Sequence, residues 1–164
     1  MKFGDRKRKT AATLPEVLIA LLLFGMVFPS IFQINGVCLR LLNASKQSMA
    51  ALESVHDRCE TLRNLAFTDL INISYVQNLM ATPANASDFS KNTTEVVRIS
   101  AYPVANGVTQ FTRPPNGLVT KDSTATDLGS TVVQVTISTS WRMTFGGRAR
   151  SEETTTMISN GTKK

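Results

Sequence analysis

The sequence is poor in the residues that most often carry catalysis. Its 164 residues include one histidine, His56, and two cysteines. It has no glycine-rich phosphate loop, no nucleophile elbow and no metal-ligand spacing around its cysteines. His56 stands between Val55 and Asp57 in a segment that predicts a helix, where we expect it at the helix surface or at an interface. Although catalytic triads are recognised by geometry rather than by sequence position, these scarcities predict a protein that is not an enzyme and needs no cofactor or metal.

The two cysteines do not indicate an intramolecular disulfide. Cys38 and Cys59 are 21 positions apart, which corresponds to about 31 Å along a continuous helix. A disulfide requires a Cα separation below about 7 Å. We expect Cys38 to be a lipid-facing or helix-packing thiol and Cys59 to be a core thiol, with an intermolecular bridge as the alternative.

The most informative feature is an apolar run behind a basic N-terminus. The run from Leu14 to Ile34 has 21 residues and would reach about 31 Å as a helix, which is enough to cross a bilayer core. The charged residues ahead of it are Lys2, Asp5, Arg6, Lys7, Arg8 and Lys9. Because only Arg40 and Lys46 follow before the next acid, the positive-inside rule predicts a cytoplasmic N-terminus and an extracytoplasmic C-terminal domain.

An ordinary secretory signal peptide fits this segment less well. The apolar region of such a peptide is usually about 7 to 15 residues long and is followed by a small-residue cleavage site. Here the run is longer, and Pro29-Ser30 is followed by the bulky Ile31 and Phe32. The small residues Ala11 and Ala12 precede the run instead.

An acidic residue stands at the edge of the apolar run. A carboxylate within a bilayer costs about 2 to 3 kcal/mol or more, so Glu16 is a candidate functional residue that needs a cationic partner. The stretch Ala11|Ala12-Thr-Leu-Pro-Glu16-Val resembles the N-terminus of the type IV pilin and type II secretion pseudopilin superfamily. In that family a prepilin peptidase cuts before the hydrophobic helix, and a glutamate is the fifth residue of the mature chain. Cleavage between Ala11 and Ala12 makes Glu16 that residue.

The resemblance implies a role for both ends of this segment. Ala12 would become the N-methylated amine, and Glu16 would pair with the amine of a neighbouring subunit as the filament assembles. Pairing lowers the desolvation cost of both charges. The sequence departs from the family with alanine for glycine at Ala11 and for an aromatic residue at Ala12, while Pro15 is compatible with a first helical turn. In a simple membrane anchor, Glu16 would instead snorkel or be neutralised.

Two residues within the run weaken a helix. Gly25 and Pro29 are poor helix formers, and Pro29 removes one backbone hydrogen bond. We predict a kink or a melted turn here, as the resembling filaments commonly loosen this region when their subunits pack. An ordinary kinked anchor is the alternative.

The helix is predicted to continue outside the membrane. Between Val37 and Ala66 there is no proline, and apolar residues recur at steps of three, four or seven, which is typical of one helical face. That face comprises Leu42, Met49, Leu52, Val55, Cys59, Leu62 and Ala66. The result is one helix of about 50 residues.

The remainder predicts a small β-rich domain. Residues 68–94 indicate a loop with one short helix near Val76 to Met80. Strands are predicted at 95–102, 107–112, 131–142 and 149–158, with a turn at 113–117 and with 118–121 as an extension. The clearest strand presents Val133, Val135, Ile137, Thr139 and Trp141 on one face. A long helix on a mainly antiparallel sheet is an α+β fold, as in pilins.

Four segments follow from these patterns. Residues 1–11 are a basic leader, 12–36 the transmembrane and assembly helix, 37–66 its amphipathic continuation and 67–164 the globular β domain. Loss of the leader lowers the net charge from +6 to about +2, so the charge mainly reflects targeting. A basic cluster of Arg142, Arg148 and Arg150 beside Trp141 and Phe145 would bind phosphate and stack on bases if it is exposed. We expect a solvated hairpin instead.

The sequence therefore predicts a minor pilus or pseudopilus subunit. The tryptophan-bearing strand, the Gly-Arg turn and the Thr-rich last strand are similar to the PilV or type I minor pseudopilin branch. The resemblance implies four partners: the prepilin peptidase, other pilin subunits, an inner-membrane assembly platform and membrane lipid. The alternative is a single-pass signal-anchor protein that binds a ligand without forming filaments. Five Asn-x-Ser/Thr triplets, at Asn43, Asn72, Asn85, Asn92 and Asn160, would suit such a glycoprotein.

Overall fold

The computed structural model describes residues 13–115, 117–129, 131–143 and 146–161. Backbone contacts divide the chain into two units, Met1–Leu42 and Asn43–Lys164. The first helix, α1, spans Leu14–Arg63 and has 50 residues, so it contributes to both. Its length agrees with the helix of about 50 residues that the hydrophobic pattern predicts.

The first unit is apolar and lacks internal packing. Its described part is the beginning of α1, where large hydrophobic side chains from Leu14 to Leu42 are exposed. Within the described residues, α1 is the one helix that is long and apolar enough to cross a membrane. A helix that is apolar on all sides requires an apolar environment, which a bilayer or neighbouring helices provide.

Of the kink or melted turn predicted in α1, the melted turn is wrong for this structure, and the kink stays a prediction. Helical backbone continues through Gly25 and Pro29. A proline removes a single hydrogen bond of the helical ladder, and the Ser30 hydroxyl donates to the Met26 carbonyl oxygen at 3.0 Å in the same turn. Loosening of this region on assembly stays a prediction.

The second unit contains three short helices after α1. They are α2 (Phe67–Leu70), α3 (Ile73–Met80) and α4 (Asp88–Lys91). The prediction of a loop with one short helix near Val76 to Met80 is therefore too sparse, although that helix is present and longer. Asn72 caps α3 by accepting from the Tyr75 N–H, and Ser87 caps α4 by accepting from the Ser90 N–H. These side-chain caps stabilise the first turns of helices that are too short to show a long apolar pattern.

The sheet is antiparallel and has five strands in the order β3-β2-β1-β4-β5. The strands are β1 (Thr94–Ala101), β2 (Thr109–Arg113), β3 (Thr120–Ser123), β4 (Val132–Arg142) and β5 (Ala149–Ser159). Both ends of each strand lie within two residues of the predicted ends. The α+β class, a long helix on a small antiparallel sheet, is confirmed.

The core lies between α1, the short helices and one face of the sheet. The predicted inner face of β4 is confirmed, because all five of its residues are buried. The principal core cluster comprises Val55, Cys59, Leu62, Leu70, Val76, Met80, Val97, Ile99, Phe111, Val133, Val135 and Ile137. Alternation of inward and outward residues in β4 therefore positions the sheet against the helices.

The predicted buried face of α1 is only half right. Val55, Cys59 and Leu62 are buried, but Leu42, Met49 and Leu52 are exposed, and Ala66 is exposed beyond the end of α1. The observed stripe is Ala51, Ser54, Val55, Arg58, Cys59 and Leu62. Because small and charged residues belong to this stripe, hydrophobicity alone predicted the wrong residues for the first half of the buried face.

Both cysteines are free, which agrees with the expectation from their spacing. Cys38 is exposed and Cys59 is buried. Burial raises the pKa of the Cys59 thiol above its ordinary value. Because the thiolate is the reacting form, both access and ionisation protect this residue.

We predict that a small maleimide at pH 8 modifies Cys38 more than about tenfold faster than Cys59 in the detergent-solubilised chain. Mass spectrometry of the peptides measures both rates. In a Cys38→Ser variant, Cys59 should react only after denaturant unfolds the domain. Equal rates for the two thiols in the native protein would contradict the burial of Cys59.

Candidate functional site

The first candidate site is the start of α1. The Thr13 carbonyl oxygen accepts from the Glu16 N–H at 2.9 Å and from the Val17 N–H at 3.2 Å. Pro15, in the first turn, has no N–H to satisfy. Glu16 lies in this turn and is exposed, where the helix dipole favours a negative charge. Ala11 and Ala12, the predicted processing site, lie outside the described residues.

Glu16 is chemically isolated within this part of the helix. From Leu14 to Leu39 it is the single charged residue. Within the part of the chain that the structure describes, its carboxylate has no ion-pair partner. An anion on an otherwise apolar surface has to find a cation from elsewhere or be desolvated at a high cost.

An aromatic ridge follows on the same helix. The rings of Phe24 and Phe28 have centroids 4.8 Å apart, and those of Phe28 and Phe32 are 6.3 Å apart. Residues four apart lie on one side of a helix, so the three rings form a continuous exposed strip. Sequence reasoning missed this strip, although its spacing of four is visible. It is suited to packing against other apolar helices or acyl chains.

The second site is a buried ion network inside the domain. Glu95 lies between two arginines, and all three side chains are almost completely buried. Arg58 donates from Nε to Glu95 Oε1 at 2.6 Å and from Nη2 to Glu95 Oε2 at 3.1 Å. Arg113 donates from Nε to Glu95 Oε2 at 3.1 Å. Multiple bonds between charged groups give this contact a fixed geometry.

Each member comes from a different element. Arg58 belongs to α1, Glu95 to β1 and Arg113 to the end of β2, and Glu95 stands directly opposite Arg113 in the sheet register. The network therefore joins the helix to two strands. Ser54 adds a second link, since its hydroxyl lies 3.1 Å from the Ser90 hydroxyl.

Backbone carbonyls accept from further N–H donors of the two arginines. Arg58 Nη2 donates to the Thr82 oxygen at 2.6 Å, and Arg58 Nη1 donates to the Leu79 oxygen at 3.4 Å. Arg113 Nη2 donates to the Ser90 oxygen at 2.7 Å. These acceptors offset the second positive charge, which the single carboxylate does not balance.

Sequence reasoning missed this network. It placed Glu95 in a strand and Arg113 in a turn, and it assigned Arg58 no role. The available signal was the alternation in β1, because Glu95 shares the face of Val97 and Ile99, which are buried. An acid at a core position of a strand predicts a buried cation close by.

The basic hairpin is solvated, as expected. Arg142, Arg148 and Arg150 are exposed. Trp141 is buried and meets Phe89 edge-on, with ring centroids 5.5 Å apart. Its ring is therefore not available to stack on bases, which removes Trp141 from the nucleic-acid hypothesis. Phe145 lies outside the described residues.

The described residues offer no other site chemistry. His56 is exposed on α1, as the sequence predicts. Among the residues that the structure describes, no group of three or more His, Cys, Asp or Glu side chains is placed to hold a metal ion. Comparison with models of known families, with curated proteins and with solved structures gives no match.

We predict that Glu95→Gln lowers the free energy of unfolding by about 3 to 5 kcal/mol, because it leaves two buried guanidinium groups without an anion. Urea unfolding of the detergent-solubilised chain, followed by the fluorescence of Trp141, measures the loss. Trp141 is the single tryptophan of the chain, so the signal reports on the domain.

Glu60→Gln is the matched control. Glu60 forms an exposed pair with Arg63 at 3.1 Å on α1, and such surface pairs contribute less than about 1 kcal/mol. Similar losses for the two variants would show that burial of the network adds nothing to stability.

Proposed function

We propose that this protein is a minor structural subunit of a type IV pilus or a type II secretion pseudopilus. A prepilin peptidase would remove residues 1–11, and the mature chain would assemble through the apolar half of α1. The domain would lie on the extracytoplasmic side of the membrane, and the leader would lie on the cytoplasmic side. The proposal involves no catalysis and no cofactor.

The observation that carries this proposal is the combination of features on α1. Its first part exposes apolar side chains on every side and has one charged residue, Glu16, in the first turn. Its last part is packed on a small antiparallel sheet. A simple anchor needs the apolar length but has no use for an acid at the start of the apolar segment.

The chemistry of assembly follows from Glu16. Cleavage before Ala12 would create a primary amine four residues ahead of this carboxylate. Within one subunit the amine and the carboxylate are both at the helix start, where the dipole opposes the amine and favours the acid. Pairing Glu16 with the amine of a neighbouring subunit lowers the desolvation cost of both groups and fixes the axial position of the incoming subunit.

The alternative is a glycosylated signal-anchor protein, and the structure gives it less support. The side chains of Asn72, Asn85 and Asn92, which begin Asn-x-Ser/Thr triplets, are engaged within the domain. Asn72 caps α3, Asn85 Nδ2 donates to Asp57 Oδ2 at 2.7 Å, and Asn92 Nδ2 donates to the Asp88 oxygen at 2.8 Å. A glycan on Asn85 or Asn92 would replace one of the two hydrogens of this amide nitrogen and would have to fit beside the acceptor of the other.

We predict that mass spectrometry of the membrane-extracted protein finds methylated Ala12 as the first residue in cells that have an active prepilin peptidase. In cells without the peptidase, the protein should keep its leader and begin at Met1. An unprocessed N-terminus in both strains would favour the plain anchor.

We further predict that Glu16→Ala leaves membrane insertion intact but lowers recovery of the subunit in sheared filaments by more than about tenfold, because the neighbouring amine is left without an anion. Immunoblots of the sheared and membrane fractions measure the two pools. Glu53→Ala, at an exposed position of the outer half of α1, is the control and should assemble normally. Equal recovery of both variants would contradict the assembly role of Glu16.

A further inference from the structure

The two edges of the sheet differ in how they are protected against pairing with another strand. Strand β3 has four residues, and a register shift between Gln110 and Phe111 interrupts its pairing with β2. Strand β5 has 11 residues, contains no proline and pairs with β4 without a register shift. Proteins usually keep an edge from pairing by making it short, bulged or interrupted by proline. Strand β5 has none of these features, so it is the edge that can accept another strand.

Two hydrogen bonds just beyond the ends of β5 show which of its backbone groups face this free edge. The Met143 N–H donates to the Arg148 oxygen at 3.0 Å, and the Asn160 N–H donates to the Thr131 oxygen at 2.7 Å. Both pairs continue the β4–β5 register by one residue. Because hydrogen-bonded pairs alternate in an antiparallel ladder, the even-numbered residues of β5 bond to β4. The odd-numbered residues direct their N–H and C=O groups to the free edge; they are Ala149, Ser151, Glu153, Thr155, Met157 and Ser159.

These outward groups have no partner in the part of the chain that the structure describes. There, no hydrogen bond outside the β4–β5 ladder reaches the backbone of β5, and the odd-numbered side chains of β5 are exposed. A row of unpaired N–H and C=O groups at the spacing of a strand is best satisfied by another strand. The edge therefore determines the shape of its ligand, which has to be an extended backbone.

One side of the outer part of α1 faces the same edge. Arg58 reaches to Glu95 of β1, whereas the next residue, Cys59, has the Thr156 side chain of β5 within hydrogen-bonding reach. Four residues later, Arg63 lines a groove with the end of β5. Residues four apart share a side of a helix, so the row that contains Cys59 and Arg63 lies on the β5 side of α1.

This row continues towards the N-terminus of α1 as an exposed surface that is partly apolar. His56, Leu52 and Met49 precede Cys59 at steps of three, four and three, so they share its side of the helix. Leu52 is 52% exposed and Met49 is 69% exposed. Both belong to the apolar face that the sequence predicts to be buried, and the described residues leave them uncovered.

We propose that the free edge of β5 binds an extended segment of a partner protein by strand addition, with apolar side chains at alternate positions of that segment packed against Leu52 and Met49. The added strand would pair with the outward groups of β5 and would lie beside α1. Backbone hydrogen bonds would supply affinity, and the alternate apolar side chains would supply specificity. The inference concerns the domain alone, so it does not rest on filament assembly.

Strand β4 shows the side-chain pattern that this layer of the domain accepts. Val133, Val135 and Ile137 alternate with polar residues and are buried between the sheet and the helices. A partner segment with the same alternation would bury its apolar side chains against Leu52 and leave its polar side chains on the exposed face of the sheet. An alternating segment should therefore bind more tightly than a segment of the same composition without this period.

A second copy of this chain is a poorer occupant of the edge. The inner face of β5 has a single apolar residue, Ile158, and its other members are Arg150, Glu152, Thr154 and Thr156. The other edge strand, β3, has the sequence Thr-Lys-Asp-Ser. Pairing through either strand would place mainly charged and hydroxyl side chains against Leu52, where they would lose water without gaining partners.

The test measures binding of a labelled synthetic peptide to the full chain in detergent micelles by fluorescence anisotropy. The peptide alternates valine with threonine over the length of β5 and has a lysine at each end. A peptide of the same composition with its valines grouped together is the control for partition into micelles. We expect the alternating peptide to bind at least about tenfold more tightly than the grouped peptide. Equal affinities overturn the proposal.

Two variants locate the binding surface, each with a matched control. Thr155→Pro removes an outward N–H and leaves the bonds to β4, since proline is tolerated at such edge positions, and Thr155→Ala keeps that N–H. Leu52→Gln removes the apolar contact, and Glu53→Gln changes the neighbouring exposed residue of α1. We expect about tenfold weaker binding for Thr155→Pro, about threefold weaker binding for Leu52→Gln and native affinity for both controls. Native affinity of either test variant overturns the proposal.

Amide hydrogen exchange of the native chain, followed by NMR, keeps the test decisive even where Thr155→Pro does not fold. Saturating peptide should slow the exchange of the Ser151, Glu153 and Thr155 N–H groups by at least about tenfold, because a hydrogen-bonded amide exchanges only when it opens. The N–H groups of Glu152 and Thr154 already bond to β4 and should change little. Unchanged exchange of the outward amides overturns the proposal.

Self-association is measured on the same samples by sedimentation equilibrium. We expect Thr155→Pro to leave the mass of the native species unchanged. A dimer of the native chain that Thr155→Pro dissociates and Thr155→Ala preserves would assign the edge to a second copy and overturn the proposal.

Discussion

The fold depends on the contact of one buried carboxylate with two arginines. Glu95 receives three N–H bonds from Arg58 and Arg113, and these residues belong to α1, β1 and β2. A carboxylate in the core cannot lose either cation without a large desolvation cost. The network therefore fixes both the rotation of α1 about its own axis and its position along the sheet, which apolar contacts alone would leave adjustable.

That constraint decides which side of the outer helix is covered. With Arg58 directed at Glu95, Val55, Cys59 and Leu62 face the sheet, and Ser54 meets Ser90. Met49 and Leu52 are consequently exposed. A helix that is apolar on more than one side has several orientations of similar hydrophobic free energy, and directional ionic bonds select one of them.

The sequence was sufficient for the elements whose pattern is set by a single period. The alternation in β4 predicted a strand and its buried face. The apolar run and the helical spacing that follows it predicted the helix α1. In both cases the predicted bounds were right within a few residues. The buried face of α1 could not be predicted, because Ala51, Ser54 and Arg58 are not hydrophobic and their burial depends on groups remote in sequence. Arg113 was read as part of a turn for the same reason: its partner Glu95 is 18 residues away. The helices α2 and α4, of four residues each, are too short to show a period at all.

Glu95 in β1 and Glu16 in α1 are both carboxylates in apolar surroundings, but only Glu95 is paired among the described residues. Glu95 is buried and paired with two arginines inside the domain, so its charge is compensated without any group from outside. Glu16 lies on an apolar surface and has no ion-pair partner among the described residues. Since the cost of a carboxylate in an apolar medium is recovered only by pairing it, the proposed assembly would supply a cation to Glu16 as other helices cover the apolar surface of α1. In the proposed filament this one charge would give specificity for register, while the many exposed apolar side chains of α1 would supply the free energy of association without distinguishing one axial position from the next.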